Sequence, residues 1–340
     1  MEYIEKTDLK NVEFVLASWG EGKELLSKED EFVKNFSEYD LSIRLRRSDS
    51  ATTKEYLDYA SSQVLNWTVK EQKLLYALFK KVKKMGEKFK MLLPKIIYVV
   101  QTTGEEGDWP VYIRGLNTIV IRKDIILPEE DELSSLINED KEEDVESEKY
   151  IDGVLLDCFL RNLFNIYCMN NPDIKEKLCN IIGYYKTGDL KLPEEIEKRR
   201  FTPPDVIRSN YYFKGLVEDK EINVIPWFFV VSRYNEQGDW TYYQYIRVGF
   251  LPVNPREECT PILEDGRIRF IGKDRMSNYL RKVGGFQTRH TDYPEEILAD
   301  KFVSIFHGTW HIPFLSSEKK FEKESTMVEY KMEEILKAGK

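Results

Sequence analysis

Five residues in two separated stretches have the types and spacing for chemistry. Asp157, Cys158 and Arg161 lie in residues 151–168, IDGVLLDCFLRNLFNIYC; Glu296 and Asp300 lie in residues 293–302, YPEEILADKF. Side chains four residues apart share one face of a helix. Asp157 and Arg161 are so spaced, as are Glu296 and Asp300. Two metal-ligating side chains at that spacing can reach one ion. Arginine cannot be one of them, because it stays protonated and has no acceptor lone pair. Its forked donors instead suit carboxylates. The spacing therefore predicts that Arg161 pairs with Asp157 on the same helix face. The plainer alternative has Arg161 extending its charged head to solvent.

Other reactive groups are few. The chain has three histidines and four cysteines. Cys158 could act as a thiolate ligand, but beside Arg161. It could also be a nucleophile with Asp157 and His290, since such partners need not be adjacent in sequence. His307 and His311 also stand four apart in FHGTWHI and read as a surface or core pair. Cys158, Cys168, Cys179 and Cys259 form no CxxC pair. That excludes a zinc knuckle or a thioredoxin motif and fits free thiols in a reducing compartment.

These residues need helices and a sheet to place them. Residues 150–168 are apolar almost all round, so they read as a core helix, in which a charge needs a partner. Residues 294–306 read as a second helix, with Pro294 in its first turn and Asp292 as the cap. Residues 174–182 continue helical. Residues 95–101 (KIIYVVQ) read as a buried strand, and residues 111–122 (VYIRGLNTIVIR) as two strands about a turn at Gly115-Leu116-Asn117. Residues 224–233 and 241–253 read as a further strand pair about a turn at residues 235–239, and residues 268–271 as a short extended piece.

Upstream, the first ~95 residues read as mostly helical. Leu74, Leu75, Leu78, Phe79, Val82 and Met85 recur at helical spacing, and Thr68 with Glu71 has capping-box spacing. The same helix and its flank carry Lys80, Lys81, Lys83, Lys84, Lys88 and Lys90. They form a solvated face or, in a sharper reading, a contact for an anionic partner such as RNA. Residues 128–149 are strongly acidic, with eleven Asp or Glu between Glu129 and Glu148. By composition they are an insertion that cannot bury enough apolar surface to order itself.

Bulk properties bound the rest. The 340 residues suffice for one large or two small domains. Hydrophobic content of 41% and charged content of 33% describe an ordinary globular chain. The net charge of -9 gives no global nucleic-acid footprint. No apolar run reaches membrane-spanning length. The charged start MEYIEKTDLK is unlike a signal peptide. A cytoplasmic location is expected.

Taken in order, several blocks resemble a family of bacterial proteins with a zinc-metallopeptidase site of the zincin kind. The blocks are residues 30–45 (DEFVKNFSEYDLSIRL), 64–72 (VLNWTVKEQ), 99–121, 155–184, 192–205 (LPEEIEKRRFTPPD) and 293–302. In that family a first helix carries His-Glu-x-x-His and a later helix carries Glu-x-x-x-Asp. The resemblance puts Asp157 at the first histidine, Cys158 at the general-base glutamate and Arg161 at the second histidine. It puts Glu296 at the third ligand and Asp300 at the residue that can orient a ligand histidine. Tyr293 replaces a histidine that commonly precedes Pro-Glu-Glu. Catalytic zinc needs three protein ligands and an open position for water, and the glutamate takes the water's proton. Both histidines and that glutamate are missing here. The family's geometry would bring Glu296 from the facing helix, so the resemblance implies an ion cluster of Asp157, Arg161 and Glu296 where zinc would sit, stitching the two core helices.

The resemblance implies an α+β, zincin-like fold with a helical N-terminal part, a mixed β-sheet and two core helices carrying a degenerate metal site. The expected organisation is a helical region over 1–94, a core over 95–315 with the acidic insertion at 128–149, and a charged C-terminal helix or tail over 316–340. The expected function is a catalytically inactive metallopeptidase-like protein retained for a binding or structural role, with a vestigial site of Asp157, Cys158, Arg161, Glu296 and Asp300. No cofactor and no membrane contact are expected, and the expected partner is a protein. One alternative is a non-standard hydrolase using Cys158, Asp157 and His290. Another is a stoichiometric subunit of a large, RNA-containing assembly, docked through Lys80, Lys81, Lys83, Lys84 and Lys88 or through the acidic segment.

Overall fold

The computed structural model describes residues 4–126, 151–206, 210–235, 241–256, 258–284, 292–308 and 319–339. The acidic segment 128–149, His290 and His311, on which the sequence places expectations, lie outside them. The described residues form an α+β fold. At its centre is a four-stranded sheet in the order β2 (Glu13–Leu16), β4 (Ile96–Thr102), β6 (Thr118–Arg122), β5 (Val111–Arg114). β2, β4 and β6 run parallel, and β5 closes one edge antiparallel to β6. The β-branched run of β4 suits a strand covered on both faces.

The two faces of this sheet bury different partners, because successive side chains point opposite ways. Ile97, Val99, Ile113, Ile119 and Ile121 join the main core with α5 (Val69–Gly86) and the two core helices. Val100, Tyr112 and Val120 face a second cluster beneath α1 (Trp19–Leu26), α2 (Glu31–Lys34), α3 (Glu38–Leu45) and α4 (Thr53–Ser62). α5 starts at the expected capping box, with Thr68 and Glu71 bonded reciprocally. The boundary drawn at residue 94 cuts through this sheet, since β2 pairs with β4, Phe14 opposite Ile97. Sequence periodicity alone could not see a four-residue strand lodged among helices.

The first core helix is Leu156–Asn170. The preceding turn, Ile151–Leu155, is interrupted at Gly153, whose φ of -106° and ψ of -126° are not helical. The expected start at residue 150 is thus moved by a local break. The helix buries Phe159, Leu160, Leu163 and Phe164 completely. Burying such a side chain contributes about 1.5–3 kcal/mol, more than an exposed ion pair would. The second core helix is Pro294–His307, with Pro294 in its first turn and Gly308 at φ 70° after its end. That left-handed position closes the helix and favours glycine. Phe164 stacks on Phe302 across the two helices at 4.8 Å. Asp292 is not the cap: Tyr293 stands there, and Asp292 pairs with Lys273 at 2.9 Å.

A second sheet is an antiparallel meander in the order β11 (Thr260–Pro261), β10 (Ile246–Asn254), β9 (Lys220–Val230), β8 (Tyr211–Val217), β7 (Tyr184–Lys186). The strand expected over 241–253 begins only at Ile246, because Tyr242–Tyr245 takes a helical turn. The C-terminal helix Lys319–Ala338 docks through Val328, Met332 and Leu336, all buried. Its Glu329 pairs with Lys301 of the second core helix at 2.9 Å, and both side chains are buried.

Candidate functional site

The two core helices bring the five sequence-selected residues to one region, in pairings the sequence did not specify. Arg161 forms its ion pair with Asp300 of the second core helix. Asp157 instead bonds His307, Oδ1 to Nε2 at 2.8 Å. The expected Asp157–Arg161–Glu296 cluster is therefore rearranged. Asp300 is one turn beyond Glu296 on the same face, and the guanidinium reaches it first. Arg161 and Asp300 keep 18% and 16% of their side chains exposed, so Arg161 does not extend freely into solvent. Cys158 is in no disulfide and is partly exposed, and its backbone oxygen accepts a bond from Asn162 at 2.8 Å.

Asn162 also fixes the helix to the sheet edge. Its Nδ2 donates to the carbonyl of Val111 in β5 at 3.1 Å. The helix face bearing Arg161 is thereby held in register with β5.

Glu296 is 93% buried, being 7% exposed. Among the described residues it makes no hydrogen bond or ion pair. Burial first, then the nearby carboxylate of Asp205, push its carboxyl up to about 8, against the pull of Arg161. Burial pushes Asp205 up to about 6, opposed by Arg161 and by a hydrogen bond from Asn165. Arg161 thus stands among three carboxylates: one bonded, two in its field. Glu295, next to Glu296, turns aside to Lys175 at 2.6 Å.

Asp205 and His307 are the members that sequence reasoning did not place. In the sequence Asp205 stands out only as the last residue of the 192–205 block, and His307 only as half of a histidine pair. Asp205 is positioned from a distance. The preceding Thr202 donates its N–H to Asp40 at 2.9 Å, and its carbonyl accepts from Arg44 at 2.5 Å. Arg44 is fully buried, ion-paired with Asp40 at 2.9 Å and hydrogen-bonded to Glu106. Tyr56 donates to the other oxygen of Glu106. A buried ionic network in the N-terminal region thus anchors the loop that carries Asp205.

The zinc implied by the resemblance does not fit these residues. The position of its second ligand holds a permanent cation that already occupies Asp300. Among the described residues, no group of three or more His, Cys, Asp or Glu is arranged to hold a metal ion.

The lysine-rich helix divides into two kinds of residue. Lys88 Nζ donates to the carbonyls of Ile305 and Phe306 at 3.1 and 3.4 Å. Its partner is the C-terminal end of the second core helix, whose last carbonyls lack intrahelical donors. Lys83 lies 5.8 Å from the ring centre of Phe14. Lys80 and Lys84 are exposed, and Lys81 is partly exposed. No helix among the described residues is long and apolar enough to cross a membrane. Comparisons with protein-family models, with curated proteins and with solved structures found no match.

Proposed function

We propose that this chain is a zincin-like protein whose metal position has been taken over by an arginine, and that it serves a binding or structural role rather than peptide hydrolysis. The observation that carries the reading is the Arg161–Asp300 pair, with Glu296 and Asp205 in the field of the same guanidinium. A fixed cation there supplies the positive charge a metal would have supplied. It cannot polarise and deprotonate a water as zinc does, because it offers no coordination position. The support for a zincin-like layout is the packing of the first core helix on both the sheet edge and the second core helix. The partner is proposed to be another protein, met in a reducing, cytoplasmic setting that suits four cysteines held in no disulfide.

The test restores the missing residues. Chain purified without chelator should carry no stoichiometric zinc and should cleave no member of a broad peptide library. The triple variant Asp157→His, Cys158→Glu, Arg161→His should bind one zinc, and adding Glu296→Gln should weaken that binding. Zinc in the unaltered chain, or peptide cleavage abolished by Cys158→Ala, would overturn the inactive assignment. A folded triple variant indifferent to zinc would overturn the zincin layout.

A further inference from the structure

The lysines of α5 differ from lysines elsewhere on the surface. Lys28, Lys34, Lys54, Lys198 and Lys337 each pair with an acid three or four residues away. Among the described residues, Lys70, Lys73, Lys80 and Lys84 make no ion pair. The sequence of α5 supplies no acid for them. Its one carboxylate, Glu71, is 2% exposed and turned inward. There it accepts from the N–H and hydroxyl of Thr68 and from Gln101 Nε2, the last at 2.7 Å.

Lys73, Lys80 and Lys84 are exposed and stand at i, i+7 and i+11, so they share one stripe of the helix. Such a stripe works against the helix that carries it. Like charges three or four apart, as in Lys80 with Lys83 and Lys84, weaken a helix. The helix dipole favours Lys83 and Lys84 near the C-terminal end, but not Lys70 and Lys73 near the start. A chain of net charge -9 thus keeps a local basic stripe with no acid of α5 interspersed. Beside it stands Tyr76, one turn from Lys73 and one from Lys80, and 55% exposed. Phe79 meets the Tyr76 ring at 6.2 Å with the planes 80° apart, which steadies the ring and leaves much of it open.

We infer that this stripe binds single-stranded nucleic acid, with Lys73, Lys80 and Lys84 on phosphates and a base stacked on Tyr76. A bilayer surface is the poorer match. The apolar side of α5, with Leu75, Leu78 and Val82, is spent in the main core, so no apolar face remains to enter lipid. An acidic protein segment would answer the lysines but bring no planar group to the tyrosine. A duplex keeps its bases stacked on one another, so it offers none to the ring. The inference adds to the reading of the Arg161 cluster and does not rest on it.

The probes are fluorescein-labelled oligouridylate and oligothymidylate, titrated with the full chain and followed by anisotropy. Binding of either supports the inference, and the tighter of the two identifies RNA or DNA as the source. Three phosphate contacts give a slope near -2 in log affinity against log salt, a fall of roughly twentyfold from 50 to 200 mM. Lys80→Ala should flatten that slope by about 0.7. Lys80→Glu with Lys84→Glu should abolish binding. Lys34→Glu with Lys54→Glu makes the same charge change on ion-paired lysines and should lower affinity by no more than about twofold. Tyr76→Ala should lower affinity at least about fivefold at an unchanged slope, and Tyr76→Phe should retain it. Absence of binding, binding indifferent to salt, or affinity unchanged in the Lys80→Glu, Lys84→Glu chain or in Tyr76→Ala would overturn the inference. So would equal affinity for polyglutamate, for a duplex of the same length or for phosphatidylserine vesicles.

Discussion

Arg161 is bonded to Asp300 on the facing core helix, one turn beyond Glu296, the acid that the resemblance assigned to it. The guanidinium therefore satisfies one acid directly and restrains two others, Glu296 and Asp205, through space. Removing it leaves three carboxylates in one partly buried region. Breaking a fully buried pair from one side costs about 3–5 kcal/mol, and partial exposure lowers that. Arg161→Met should lose about 2–3 kcal/mol in urea unfolding, and adding Glu296→Gln to it should restore part of the loss. A single variant as stable as the parent would show that the cluster holds nothing together.

Glu296 makes stability depend on pH in a stated direction. Its carboxyl is raised in the fold from an ordinary 4.5 to about 8. Below pH 4.5 the folded and unfolded chains both hold the proton, and the contribution is complete. As pH rises towards 8 the unfolded chain releases a proton that the fold retains, so stability falls. The parent should lose stability relative to Glu296→Gln across that window, by on the order of a few kcal/mol, and the difference should level off above it. Chemical unfolding of both chains at intervals between pH 4.5 and 9 gives the curve; parallel profiles would place Glu296 in a less buried setting.

Lys301 and Glu329 fasten the C-terminal helix to the second core helix with a buried ion pair. Lys301→Met leaves Glu329 buried without its cation and should cost about 3–5 kcal/mol. The double replacement Lys301→Met, Glu329→Leu should recover most of it, since matched apolar side chains replace a buried pair at little cost. A double-mutant cycle read by thermal unfolding measures the coupling.

Arg44 holds Asp40, Glu106 and the Thr202 carbonyl together, and so holds the loop of Asp205. Arg44→Met should destabilise by about 3–5 kcal/mol. Its effect should also reach the 201–206 loop, as faster amide exchange there under conditions where the whole chain remains folded. Protection unchanged in that loop would separate the network from the site.

Within the lysine-rich helix and its flank, substitutions should sort by contact. Lys88→Ala removes donors from the end of the second core helix and should cost about 0.5–1.5 kcal/mol. Lys80→Ala and Lys84→Ala, on the exposed side, should stay within about 0.5 kcal/mol of the parent. Equal effects on melting temperature across the three would refute this division.

The sequence by itself determined what is encoded locally. The Thr68–Glu71 box and the apolar spacing after it placed α5, the β-branched run at 95–101 placed β4 within a residue, and Pro294 marked the start of the second core helix. It also put Arg161 four residues after Asp157 on one helix face, because residue type and i, i+4 spacing are read directly from the chain. Which acid Arg161 bonds was decided only in three dimensions. Glu296 and Asp300 lie on the same helix face, so the choice depends on the offset between two helices set by Phe164 against Phe302 and Asn162 against Val111. Asp205 and His307 entered the site through contacts spanning 40 residues or more, which no local period records. The boundary near residue 94 failed for the same reason: the partner of β2 is 83 positions further along, Phe14 against Ile97, and only the folded sheet brings them together.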